Sequence, residues 1–274
     1  MKSLYSLLLL STLCACTSLP PQTGVESEAL IEQQLSQMPQ GEIGKKEVFL
    51  VVVAGFDAPA VFSNEMRLAA EQLGLAFDAK NRILLLSNSN KDRETLPQVT
   101  PFLLQRAVNK LSKKMNGSED ILALYLVSHG TKQGFVFKPN NGSMEIASPY
   151  SIQQALKEAD TPWNMVFVSA CYSGSFADEL KNSKTMIMTA ADATHSSFGC
   201  DATNRYTYFG TELLKNREFS GKVDWNEVFQ DTQLKIQQKE KDKYLEHSNP
   251  QFWLGDELAK YLASLPKPTQ TNTQ

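Results

Sequence analysis

Five short apolar runs punctuate the middle of the chain: Val48 to Ala54, Ile83 to Leu86, Ile121 to Val127, Met165 to Val168 and Met186 to Met188. Runs of that length without polar alternation mark strands buried on both faces, and such strands belong to parallel sheets covered by helices. The segments between them carry helix-opening signals. Thr100-Pro101 precedes Phe102 to Lys114, and Ser148-Pro149 precedes Tyr150 to Glu158, each a capping residue followed by proline at the first helical position. A later helix is expected over roughly Asp224 to Glu246, where Trp225, Val228, Phe229, Thr232 and Ile236 recur at helical spacing and the charged run from Lys239 to Lys243 reads as a solvated face. Strand and helix in alternation predict an α/β fold with a mostly parallel central sheet.

In an open parallel sheet, ligands bind beyond the carboxyl ends of the strands. Two of those ends carry reactive side chains. The third run ends in Ser128-His129-Gly130, and the fourth in Ser169-Ala170-Cys171-Tyr172-Ser173-Gly174. Neighbouring strands lie about 4.8 Å apart, so an imidazole and a thiol at adjacent ends can meet. A free thiol is mostly protonated at neutral pH, and a neighbouring imidazole is what holds the thiolate. Cys171 is then expected to attack a carbonyl carbon, with His129 protonating the leaving amine and later activating water. The amides of Gly130 and Cys171 are candidate oxyanion donors, the glycine letting backbone approach a substrate closely.

The chain has three histidines, and only His129 ends an expected strand; His195 sits in a polar loop and His247 follows the charged helix. Cys171 and Cys200 could form a disulfide, or join His129 around a structural zinc, but no paired C-x-x-C or H-x-x-x-H spacing supports a metal. No metal and no cofactor is expected. G-x-S-x-G and the glycine-rich nucleotide motifs are absent, and Ser173 reads as part of a turn into a helix.

At the amino end, Lys2 is followed by an apolar run from Leu4 to Leu13, too short to span a bilayer but suited to export. Leu13-Cys14-Ala15-Cys16 resembles the bacterial lipobox, which implies cleavage before Cys16 and acylation of its thiol, Cys14 being the weaker acceptor. Thr17 stands where Asp would signal inner-membrane retention, so that resemblance points to the outer membrane, facing the periplasm. The expected organisation is a signal peptide over 1–15, a lipidated polar tether with room for a short helix over 16–46, a folded domain over 47–265 and a disordered tail over 266–274. Lys and Arg total 27 against 30 Asp and Glu, a formal charge of -3 with no basic block, which argues against a nucleic-acid partner. The expected partners are a protein or peptide substrate and, through the lipid, the membrane.

On Ser128-His129-Gly130, Ser169-Ala170-Cys171-Tyr172-Ser173-Gly174, Thr189-Ala190-Ala191, Ser196-Ser197-Phe198-Gly199-Cys200, Tyr206 to Gly210 and Asn249-Pro250-Gln251, the chain resembles the legumain-like family of cysteine peptidases. It is most similar to the bacterial lipoprotein members, over roughly Glu47 to Gly255. The resemblance implies a caspase-like three-layer α/β/α sandwich and a Cys/His dyad at Cys171 and His129. It implies oxyanion donors at Gly130 and Cys171, and a primary specificity pocket lined by Ser196 and Ser197 with Ser169. Two positions depart from the family: Ser169 stands where legumains place a Glu, and Thr211 follows Gly210 where they place an Asp, with Glu212 one residue further. Arg67 lies in the region of the pocket arginine at a different spacing. The partner that orients His129 stays open between Asn64, Asp57 and a backbone carbonyl. The expected activity is that of an envelope-anchored cysteine endopeptidase. The alternatives are a transpeptidase or transamidase using the same dyad, and a catalytically silent caspase-like binding lipoprotein.

Overall fold

The computed structural model describes residues 22–265 except 141, 216, 218, 220 and 221. The expected signal segment 1–15, the acceptor Cys16 and the tail 266–274 lie outside the described residues. In chain order the elements are α1 (Gly24–Gln37), β1 (Val48–Ala54), α2 (Val61–Ala76), β2 (Ile83–Ser87), α3 (Pro101–Ser112), β3 (Ile121–Val127), β4 (Gly130–Thr131), β5 (Gly134–Phe137) and β6 (Glu145–Ala147). Then follow α4 (Pro149–Glu158), β7 (Trp163–Ser169), α5 (Gly174–Leu180), β8 (Thr185–Thr189), α6 (Tyr208–Gly210) running into a π turn (Thr211–Lys215), α7 (Trp225–Asp242), β9 (Gln251–Leu254) and α8 (Asp256–Ala263).

The five apolar runs all lie in strands of one six-stranded sheet, in the order β2-β1-β3-β7-β8-β9. Its first five strands are parallel and β9 closes it antiparallel to β8. β1 and β3 are buried along their whole length, as unbroken apolar sequence requires of central strands. Alternate residues feed two cores: Leu50, Val52 and Ala54 pack with α2, α7 and α8, while Phe49, Val51 and Val53 pack with α1, α3, α4 and α5. The result is a three-layer α/β/α sandwich.

The helix-opening signals act as capping chemistry dictates. Thr100 Oγ1 accepts from the Leu103 amide and Ser148 Oγ from the Ser151 amide, both at 3.2 Å. Asp224 caps α7, whose expected apolar stripe is buried. α7 stops at Asp242, short of the expected Glu246, and Tyr244 then turns the chain at φ 55°. Within its charged run, Glu240 is buried rather than solvated, accepting from the Ser248 amide at 3.1 Å and lying 2.6 Å from His247 Nδ1.

The stretch expected as a tether does contain a helix, but that helix is packed onto the domain. Thr23 and Glu26 form a capping box that opens α1, with the Thr23 amide donating to Glu26 Oε2 at 2.7 Å and the Glu26 amide to Thr23 Oγ1 at 3.2 Å. Ile31, Leu35 and Met38 make an apolar stripe that joins the core, while the Glu and Gln residues around them hide it in the sequence. Gln34 grips the edge strand β2 from both sides, its Nε2 donating to Leu85 O at 2.9 Å and its Oε1 accepting from the Leu85 amide at 3.0 Å. The packed domain therefore includes residues well before Glu47.

Candidate active site

β3 and β7 are neighbours, parallel and in register, with Val127 opposite Ser169. His129 and Cys171 each lie two residues beyond that pair, at the carboxyl edge of the sheet. The Ser128 amide donates to Ser169 O at 3.2 Å and carries the pairing past the strand ends. Ser128 Oγ donates to Val136 O at 2.6 Å and the Val136 amide to His129 O at 3.0 Å, pinning the turn into β4 and β5. A Cβ on Gly130 would lie 2.0 Å from the Cys171 carbonyl oxygen. The space the glycine leaves is thus filled by the backbone of Cys171 itself, not by the substrate that the sequence reading assigned to it.

The His129 ring is packed edge-on against two aromatic rings. Its centroid is 4.6 Å from that of Phe56 and 4.9 Å from that of Phe62, at interplanar angles of 89° and 78°. Burial in this setting pushes the imidazole below its ordinary range. Neither side chain considered as its orienting partner serves: Asp57 pairs with Lys138 at 2.9 Å, and Asn64 Nδ2 donates to Arg205 O at 3.3 Å.

Cys171 is half-buried, a free thiol donating to Ser197 O at 3.5 Å and accepting from Ser197 Oγ at 3.7 Å. Tyr172, next in the chain, adopts a left-handed φ of 58°, and its amide donates to His195 O at 2.9 Å. Ser196 Oγ donates to Tyr172 Oη at 3.4 Å. Ser173 is fully buried in the turn into α5, where its Oγ accepts from the Ala191 amide at 3.1 Å.

One carboxylate holds the loop that carries Ser196 and Ser197. Asp192 Oδ1 accepts from the amides of Thr194 at 2.7 Å and His195 at 2.9 Å, and Oδ2 lies 2.7 Å from His195 Nδ1 and accepts from Asn249 Nδ2 at 2.9 Å. Partial burial works against the charge, yet the hydrogen bonds from Asn249, Thr194 and His195 hold this carboxyl far below the usual range. Nothing in the sequence distinguishes Asp192 from any other loop aspartate.

Beneath the strand end lies a second carboxyl. Glu65 of α2 is fully buried; Tyr125 Oη donates to its Oε1 and the Thr207 amide to its Oε2, each at 2.8 Å. Ser169 is buried beside it, with Oγ 3.0 Å from Thr207 Oγ1. Burial raises Glu65, against the hydrogen bonds from Ser169, Thr207 and Tyr125. A sequence signal for it existed: Glu65 falls on the face of α2 shared by Val61, Phe62, Met66, Ala69 and Leu73. Glu212 lies 3.2 Å from Lys239 Nζ, and Arg67 pairs with Asp92. Cys200 is a free, half-buried thiol that burial and the nearby Cys171 charge push up. Among the described residues no cluster of three or more His, Cys, Asp and Glu side chains is placed to hold a metal ion.

The architecture is that of the caspases. Caspase-1 from Spodoptera frugiperda matches it with a TM-score of 0.53 over 77% of this chain and 88% of that chain, at 9% sequence identity, a likeness of fold alone. The Peptidase C13 family, that of the legumains, matches residues 104–260. That is more than half of the chain, which therefore belongs to this family and is a cysteine peptidase with protein or peptide substrates. A comparison with curated proteins finds no match.

Proposed function

We propose that Cys171 is the nucleophile and His129 its proton carrier in an endopeptidase held at the bacterial envelope through acylated Cys16. Cys171 Sγ attacks the scissile carbonyl carbon as its proton passes to His129. The amides of Gly130 and Cys171 donate to the oxyanion. The C–N bond breaks, the amine leaves with the proton from His129, and a thioester remains. Water, deprotonated by His129, then releases the carboxylic acid and restores the thiol. Ser196 and Ser197 border the nucleophile and line the substrate side. With Ser169 and Thr211 in place of the legumain acids, selection of asparagine is not part of the proposal.

One observation supports this reading: the in-register pairing of β3 with β7 brings the backbones at Gly130 and Cys171 into contact, at the sheet edge where parallel α/β proteins carry out chemistry. The test is to incubate the full chain and its Cys171→Ala variant with a diverse peptide library and read new termini by mass spectrometry. Cleavage present in the parent and lost in the variant is expected. Cleavage retained in Cys171→Ala overturns the assignment. Products joined to an added amine would identify a transpeptidase, and no products at all a silent binding lipoprotein. Anchoring is tested separately, by incorporation of a labelled fatty acid that Cys16→Ala should abolish.

A further inference from the structure

The orienting of a catalytic histidine is a task usually given to an acid or a carbonyl bonded to one ring nitrogen. Here the two side-chain candidates are engaged elsewhere: Asp57 with Lys138, and Asn64 with Arg205 O. Burial pushes the His129 imidazole down. Two aromatic rings pack against it. Phe56, Phe62 and His129 stand at steep angles to one another, Phe56 and Phe62 themselves 6.2 Å apart at 61°, so that the two phenyl rings bound the room in which the imidazole can turn.

We propose that Phe56 and Phe62 are the positioning residues of His129, fixing the plane of its ring by edge contact in place of a hydrogen-bonded acid; the proposal rests on the dyad reading above. Edge-on aromatic pairs add to what area burial alone gives, so two of them rival the single hydrogen bond they replace. The clamp is braced on both sides. Phe62 is fully buried in the core. Phe56 carries Lys138 Nζ 5.4 Å from its ring, and that amine is tied to Asp57 at 2.9 Å. The segment bearing Phe56 is stitched down by the Gly55 amide to Val127 O at 2.9 Å and the Lys138 amide to Gly55 O at 2.8 Å.

The clamp also sets when the ring is a base. The charged and titratable groups on the packed elements are Asp57 and Lys138, paired with each other across Phe56; Glu65 of α2, bonded to Tyr125 and Thr207; and the Cys171 thiol. The two phenyl rings help to bury the imidazole without supplying a counter-charge, so its neutral form persists to lower pH than in a free histidine.

The experiment compares the full chain with Phe56→Leu and with Phe56→Tyr, which keeps the aromatic edge and whose hydroxyl can reach solvent at this half-buried position. Two quantities are read: kcat and KM against pH, and the NMR titration of the His129 ring, identified by its loss in His129→Gln. Phe56→Leu is expected to lower kcat about tenfold with KM within about twofold, and to move the His129 titration and the acid limb upward. Phe56→Tyr should restore all three. Should Phe56→Leu fail to fold, Phe56→Met takes its place. An unchanged His129 titration, or an unchanged kcat, in a natively folded Phe56→Leu overturns the clamp. If the parent cleaves nothing, yet the titration moves in Phe56→Leu and returns in Phe56→Tyr, the clamp stands and the dyad reading falls.

Discussion

The two sides of the active edge are held by opposite means. The His129 side is aromatic and partly buried, its ring in T-shaped contact with two phenyl rings. The Cys171 side is polar, its flanking loop gathered by the single carboxylate of Asp192. Packing of the first kind is insensitive to salt and spread over many atoms, whereas the second concentrates the order of a whole loop in one charge. The contrast suits their proposed tasks: a proton carrier needs a fixed plane and a low dielectric, and a substrate-bordering loop needs groups that can still meet water.

The most damaging change should fall on the seam between the halves. Gly130→Ala places a methyl group on the Cys171 carbonyl, and we expect turnover below detection and a loss of about 3 kcal/mol in urea unfolding. A variant with normal kcat would mean that the halves can slide past each other. Next, Asp192→Ala should reduce kcat/KM roughly 100-fold by releasing the Ser196–Ser197 loop, while the NMR titration of His129 stays put. If that titration moves as well, the two sides are coupled and the contrast breaks.

Mild acid should leave both sides working. The depressed Asp192 contributes stability that is present above the ordinary carboxylate value and lost only as pH falls through its much lower folded value. The depressed His129 is protonated only below the ordinary imidazole value, so the acid limb of kcat/KM should lie lower than a free histidine would give. A limb at or above the free value contradicts a His129 lowered by burial. The smallest effect concerns Glu65. Because its folded form keeps a proton to higher pH than the unfolded chain, its contribution is full below the unfolded value of 4.5 and declines as pH rises toward the folded one. Glu65→Gln should flatten that slope in stability measured from pH 4 to pH 8, by no more than about 1.4 kcal/mol per pH unit.

The strands were legible because central parallel strands are apolar on both faces, and the sequence singles out the proposed pair because each member directly follows such a run. What surrounds that pair was not. Phe56 comes from the connection after β1 and Phe62 from the first turn of α2, both far from His129 in the chain. Asp192 owes its role to bonds with Asn249 and its own loop, which exist only after β8 and β9 pair. The docking of α1 was hidden for the opposite reason: Ile31, Leu35 and Met38 are spaced for a helix face, but their polar neighbours give the segment the composition of a linker.

Gln22 is pinned just before α1, its Nε2 donating to Arg93 O at 2.9 Å and its Oε1 accepting from the Gln98 amide at 2.6 Å. Both partners belong to the connection that leaves β2 at the carboxyl edge, the edge that carries His129 and Cys171. Cys16 and Gln22 are six positions apart, a span of at most about 20 Å when fully extended. Were the lipid at Cys16 as proposed, the enzyme would work on a short leash, attached beside its proposed catalytic edge. Proximity to the membrane surface would then filter substrates before any side-chain preference does.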